Sequence, residues 1–139
     1  MKIDNLLAEI RSVYLKTEIK KGMAIEDIIK CDPSHTIIQP ILKNQFVFSN
    51  TNMEYGFEVL DGIVDIFGNL EITPVNKGDT IVLASDGYPF LDTSLEKCEE
   101  YLNELKKTDP LCIEKYKSVS GFTDGRTALD DRAFIKFIV

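Results

Sequence analysis

Ile3, Leu6, Leu7, Ile10, Val13 and Tyr14 recur at spacings of three and four, drawing one apolar stripe along an amphipathic helix. Lys20, Lys21 and Gly22 supply the cationic last turn and the glycine stop expected at its C-terminus. A short second helix is predicted over 24–30, with Ile25, Ile28 and Ile29 inward. Asp32-Pro33 reads as an N-cap followed by proline at the first helical position. The helix that follows carries Ile37, Ile38, Ile41 and Leu42 on one side, and Pro40 is expected to kink it.

After Gln45 the period shortens. Phe46-Val47-Phe48 suggests extended chain, running into the polar loop Ser49-Asn50-Thr51-Asn52. Residues 55–60 alternate as a strand does, and Val64–Phe67 and Leu70–Val75 flank Gly68-Asn69, a dipeptide suited to a two-residue hairpin turn. Thr80–Ser85 is a short apolar run suited to a buried strand. Thr93-Ser94-Leu95-Glu96 fits a capping box with Thr93 as N-cap, opening a helix whose inner stripe is Leu95, Cys98, Leu102 and Leu105. Asp109-Pro110 ends that helix, 118–127 reads as a loop, and 132–139 closes the chain as a strand. The order is helices over 1–45, a β-meander over 46–85, a helical insertion over 93–116 and a last strand. This predicts one α+β domain across 1–139, with N-terminal helices packed on an antiparallel sheet.

Composition narrows the functional classes. The 139 residues carry a net charge of −7, with 44% hydrophobic and 28% charged residues, an ordinary globular balance. The acidic balance argues against nucleic-acid or anionic-membrane partners. No apolar run approaches the ~20 residues that a membrane span needs. Met1-Lys2-Ile3-Asp4 leads into no long apolar run before a small-residue cleavage site, which argues against a secretory signal. Three sparse cysteines, Cys31, Cys98 and Cys112, suit free thiols in a reducing, cytoplasmic setting.

The candidate chemistry lies in carboxylates. Asp86 directly follows the buried strand and precedes a glycine, which lets the chain turn and leaves the carboxylate at the sheet edge. Asp130 and Asp131 directly precede the final strand. If the two strands are neighbours, these carboxylates converge and repel one another unless a cation lies between them. Hard ions such as Mg²⁺ or Mn²⁺ prefer such oxygen ligands. The competing reading is a plain turn at Asp86-Gly87 and a solvated strand start at Asp130-Asp131. His35 is the sole histidine, so a His-based triad or a multi-histidine zinc site is excluded. Cys98 lies on an apolar helix stripe and reads as packing.

The segment Gly78–Gly87, ending in Ser85-Asp86-Gly87, resembles the Ser-Asp-Gly segment of the metal-dependent (type 2C) protein serine/threonine phosphatases. Leu129-Asp130-Asp131-Arg132-Ala133 resembles that family's final Asp-Asn-x-Thr strand. A poorly characterised bacterial branch is more similar still. It shares Ser85–Pro89, Leu95-Glu96, Asp109–Cys112 and Asp130–Ala133, so the resemblance runs over about residues 30–139.

The resemblance implies part of an α-β-β-α sandwich, two-metal hydrolysis of phosphoesters, and metal-ligand roles for Asp86 and Asp130; Asp131 joins them as a candidate ligand through the convergence of strand-end carboxylates. The family's other ligands, and an arginine that grips phosphate, come from an N-terminal half. Asp61-Gly62 looks like that half's Asp-Gly motif, yet stands too close to Asp86 to leave room for the intervening helices. Asp131 in place of asparagine, and Tyr88-Pro89 after the Ser-Asp-Gly motif, also depart from the family pattern. The implied protein is a phosphatase-like C-terminal half that is inactive alone. Its expected partners are a phosphoprotein, the missing N-terminal half or, by burial of an uncovered sheet face, a second copy in a homodimer. A non-catalytic interaction module and a weak divalent-cation-binding domain are the alternatives.

Overall fold

The computed structural model of the chain describes residues 1–59, 62, 72–123 and 129–139. Among the described residues four helices are present: α1 (Lys2–Lys20), α2 (Ile25–Lys30), α3 (His35–Asn44) and α4 (Leu95–Thr108). Two strands, β1 (Thr80–Ala84) and β2 (Phe134–Ile138), pair antiparallel from Thr80 opposite Ile138 to Ala84 opposite Phe134. The described elements are α+β, as expected. None of these helices is long and apolar enough to cross a membrane.

α1 ends where its sequence says it should. Gly22, at φ +103°, donates to the Ile19 carbonyl, and Met23 donates to that of Glu18, a Schellman pair that satisfies the last-turn carbonyls. Its inner face, however, is rotated from the sequence stripe. Ile3, Leu7, Ala8, Arg11, Ser12 and Leu15 are buried, whereas Leu6, Ile10 and Val13 are exposed. Two polar residues take the inner positions because they bond to the chain that α1 covers. Arg11 Nη1 donates to the carbonyls of Leu111 (2.7 Å) and Ser118 (3.0 Å), and Ser12 Oγ donates to that of Ile113 (2.7 Å). Sequence periodicity registers apolar content and cannot see such bonds.

The covered chain, 109–122, is the hub of the fold. Leu111 and Ile113 pack with Leu15 and Ile28, and Cys112 packs with Leu102, Leu105 and Phe122. Val119 packs against the third cluster, Ile3, Leu7 and Ile38. The predicted helical content of 93–116 therefore stops at Thr108. Asp109 causes the change: its buried carboxylate accepts from the backbone N–H groups of Ile113, Glu114 and Lys115 at 2.8–3.0 Å, and a carboxylate with that many donors holds a turn rather than a helix. The Asp109-Pro110-Leu111-Cys112 stretch is thus a structural device.

Several local expectations shift. α3 starts at His35 and not at Pro33: Asp32 accepts from the Ser34 N–H and hydroxyl, which makes an Asx turn ahead of the helix. Phe46–Phe48 lies in a 3₁₀ turn, Gln45–Phe48, and not in extended chain, because Phe48 folds back onto the Ile3–Leu7–Ile38 cluster. The strand expected at 55–60 reduces to a single parallel bridge between Phe57 and Ser49, with the Asn50 amide bracketing Val59. Most of the expected hairpin at 64–75 lies outside the described residues, and 72–75 is exposed and irregular. β1, expected to be a buried strand, is instead half-buried to exposed, with Leu83 57% exposed, and neither strand contributes a residue to the three buried clusters, which join the N-terminal helices, α4 and the hub.

Candidate functional site

The antiparallel register brings the end of β1 to the start of β2, the condition on which convergence of the carboxylates depended. Ser85 holds the junction with three bonds. Its N–H donates to the Ala133 carbonyl (3.0 Å), and its Oγ accepts from the Ala133 N–H (2.9 Å) and donates to the Asp131 carbonyl (3.1 Å). Gly87 permits the approach. A Cβ there would stand 2.4 Å from the Asp131 carbonyl oxygen and 2.8 Å from Arg132 Cγ. The Ser-Asp-Gly motif thus divides its labour between a brace, a free carboxylate and a gap for the neighbouring strand.

Asp86 and Asp130 line one open pocket of about 220 Å³, together with Asp4 at the start of α1 and with Tyr116, Lys117 and Ser118 of the hub. Asp86 and Asp130 are both exposed, and Asp130 Oδ1 accepts the Asp131 N–H at 2.8 Å. Asp131 is placed apart: exposed and off the pocket lining, it serves the junction through its carbonyl. Asp4 reaches the pocket from the far end of the sequence, and no spacing signal marked it. Its carboxylate is 3.3 Å from the Met1 amine. Lys117 gives its charge to Glu9, with its Nζ 2.7 Å from both carboxylate oxygens. Burial pushes the Tyr116 hydroxyl pKa up, with the negative charge of Asp86 adding to the effect.

Among the described residues no group of three or more His, Cys, Asp or Glu side chains is gathered as a metal cage. Mg²⁺, however, keeps several waters and is commonly held by one or two carboxylates. Asp86 and Asp130 fit that donor number for a single hydrated ion. A bridged pair of ions needs more carboxylates than this pocket collects.

A second network, off the pocket lining, ties the same two chain ends to α4. Tyr88 donates its hydroxyl to Glu99 Oε1, and Arg132 Nη1 donates to Glu99 Oε2, both at 2.7 Å. The Arg132 guanidinium lies 5.5 Å from the Tyr88 ring centroid, and Tyr88 meets Phe134 edge-on at 6.2 Å. The bond to Glu99 raises the Tyr88 pKa, with burial adding to it. Sequence reading missed Glu99, whose position on the helix gives no sign of its two partners.

The other candidates lie off this pocket. Cys98 and Cys112 are buried and Cys31 is exposed, all as free thiols. His35 is exposed at the start of α3, 3.9 Å from Asp32. No family model, curated protein or solved structure matches the chain.

Proposed function

We propose that the chain is a type 2C phosphatase-like half-domain that binds one divalent cation, Mg²⁺ or Mn²⁺, through Asp86 and Asp130 and does not hydrolyse phosphoesters by itself. The observation that carries this reading is the Ser85-braced junction, which sets both carboxylates on one pocket. A bound ion would supply Lewis-acid polarisation of a phosphoryl oxygen. The chain's own contribution is the two carboxylates, held by the strand register beside a Lys117 whose charge is paired with Glu9. Asp131, the third carboxylate of the expected set, lies off the pocket, which favours a role through its backbone. Completion of the site falls to an N-terminal half carried on another polypeptide, and a phosphoprotein is the substrate or partner class this reading implies. Three unpaired thiols suit a cytoplasmic setting.

Addition of Mn²⁺ to labelled protein, followed by amide NMR, tests the proposal. Paramagnetic broadening centred on residues 86, 116–118 and 130 supports it, and uniform or absent broadening refutes it. Aryl phosphate hydrolysis with Mn²⁺ is expected to stay at the buffer rate.

A second reading, assembly into a homodimer, is favoured by the sheet. Leu83, Ile135 and Phe137 lie on one face of β1–β2 and are 57%, 58% and 44% exposed, an apolar surface that solvent penalises. Sedimentation velocity at tens of micromolar is expected to give a dimer, and a strict monomer counts against this reading.

A further inference from the structure

We propose that the outward face of α1, with the start of α3 beside it, is the contact surface for a second copy of the chain, packed with the two α1 helices antiparallel. The proposal depends on neither the strand-end carboxylates nor the β1–β2 face. Leu6, Ile10, Val13 and Thr17 follow one another at intervals of four, three and four residues. That spacing is the seam of a coiled coil, a row of side chains that meets a partner helix along its length. Because Arg11 and Ser12 take the inner positions of α1, the seam is turned away from the fold.

The face is apolar and open. Leu6, Ile10 and Val13 are 45%, 36% and 64% exposed, and Ile37 and Ile41, one turn apart on α3, are 42% and 44% exposed. Ile10, Val13, Tyr14 and Thr17 meet Ile37 along a groove of about 520 Å³ whose walls are almost wholly apolar. Contiguous apolar surface of this kind marks a place where another chain docks.

Symmetry and charge identify the occupant. In an antiparallel pair about a two-fold axis between residues 11 and 12, Ile10 faces Val13 of the second copy and Leu6 faces Thr17. Glu9 and Lys16 flank the seam, and the same pairing brings Glu9 of each copy to Lys16 of the other. Within each copy Glu9 already pairs with Lys117, and Lys16 with Glu114. The rim therefore becomes a row of alternating sign: Lys117 and Glu9 of one copy, then Lys16 and Glu114 of the other. A parallel pair instead sets Glu9 beside Tyr14 and aligns the two helix dipoles. With this rim, the two-fold contact covers on the order of 1,000 Å² in total, the size of a small, reversible interface.

Disulfide trapping tests the contact. Leu6→Cys and Thr17→Cys are made in a Cys31→Ser background, because Cys31 is the exposed native thiol. Each is oxidised with copper phenanthroline at tens of micromolar, alone and as an equal mixture. The mixture is expected to form a disulfide-linked dimer several-fold faster than either variant alone. Val13→Glu, carried by both variants at a site 64% exposed, is expected to keep the melting temperature and abolish the trapping. Ile135→Glu, on the sheet, is expected to leave the trapping unchanged. Trapping no faster in the mixture than in the single variants overturns the proposal, whether it comes from a monomer, a parallel pair or a dimer built on the sheet. Loss of trapping in Ile135→Glu, or its persistence in Val13→Glu, overturns it as well.

Discussion

Arg11 on α1 and Asp32 ahead of α3 form a buried pair, with Nε and Nη2 donating to one carboxylate oxygen at 2.9 and 2.7 Å. The remaining Arg11 nitrogen bonds carbonyls of the 109–122 hub, so one side chain joins three parts of the chain. Arg11 and Asp32 side chains are 1% and 5% exposed. Removing one partner of such a pair leaves a buried charge uncompensated and costs about 3–5 kcal/mol. Arg11→Met is expected to lose stability on that scale in urea unfolding. Arg11→Lys should fall between the two, since an ammonium cannot supply the same planar fork.

Gly87 is required by contact and not by its backbone angle. A methyl group placed 2.4 Å from the Asp131 carbonyl oxygen must push β2 away from β1. Gly87→Ala is expected to cost about 1–3 kcal/mol, the usual range for overpacking a tight site. The same variant should accelerate amide exchange at Ala133, whose N–H bonds to Ser85 Oγ. Unchanged stability in urea would show that the junction can open freely.

Cys112 is fully buried, with burial pushing its pKa from the ordinary 9.0 up to about 12 and the Asp109 charge adding to that. The folded thiol therefore stays protonated where the unfolded one ionises. This contribution to stability is complete below pH 9.0 and is lost as the pH rises towards about 12. Stability measured by urea unfolding is expected to fall across that window, and to fall less in Cys112→Ala relative to its own value at neutral pH. At pH 8 a thiol reagent should label Cys31 rapidly and leave Cys112 untouched until unfolding.

The start of α4 separates two adjacent hydroxyls. Ser94 is the N-cap, with Oγ accepting the Lys97 N–H, whereas the Thr93 hydroxyl reaches Asp92. Ser94→Ala is expected to cost about 1 kcal/mol and Thr93→Ala much less, both by thermal melting. The reverse order would restore Thr93 as the cap.

Elements set by local chemistry were legible in the sequence. The Lys20-Lys21-Gly22 stop, the Cys98, Leu102 and Leu105 part of the α4 stripe, and the positions of the strands Thr80–Ala84 and Phe134–Ile138 stand where periodicity and turn residues put them, whereas Leu95 of that stripe is exposed. Elements set by long-range bonds were not. Arg11 and Ser12 occupy inner positions because of partners about a hundred residues away, and this rotates α1 until Leu6, Ile10 and Val13 face outward. At the candidate site, Asp86 and Asp130 could be paired from strand ends alone. Asp4, the Glu99 network and the separate placement of Asp131 depend on tertiary packing that no spacing encodes.

The central claim is that Asp86 and Asp130 together, without Asp131, hold one divalent cation. Its most direct test is Mn²⁺ calorimetry on the unmutated protein and on Asp86→Asn, Asp130→Asn and Asp131→Asn. The account predicts one site per chain in the unmutated protein, loss of binding heat in the first two variants, and near-normal binding in the third. No heat in the unmutated protein, or equal loss in all three variants, would contradict it.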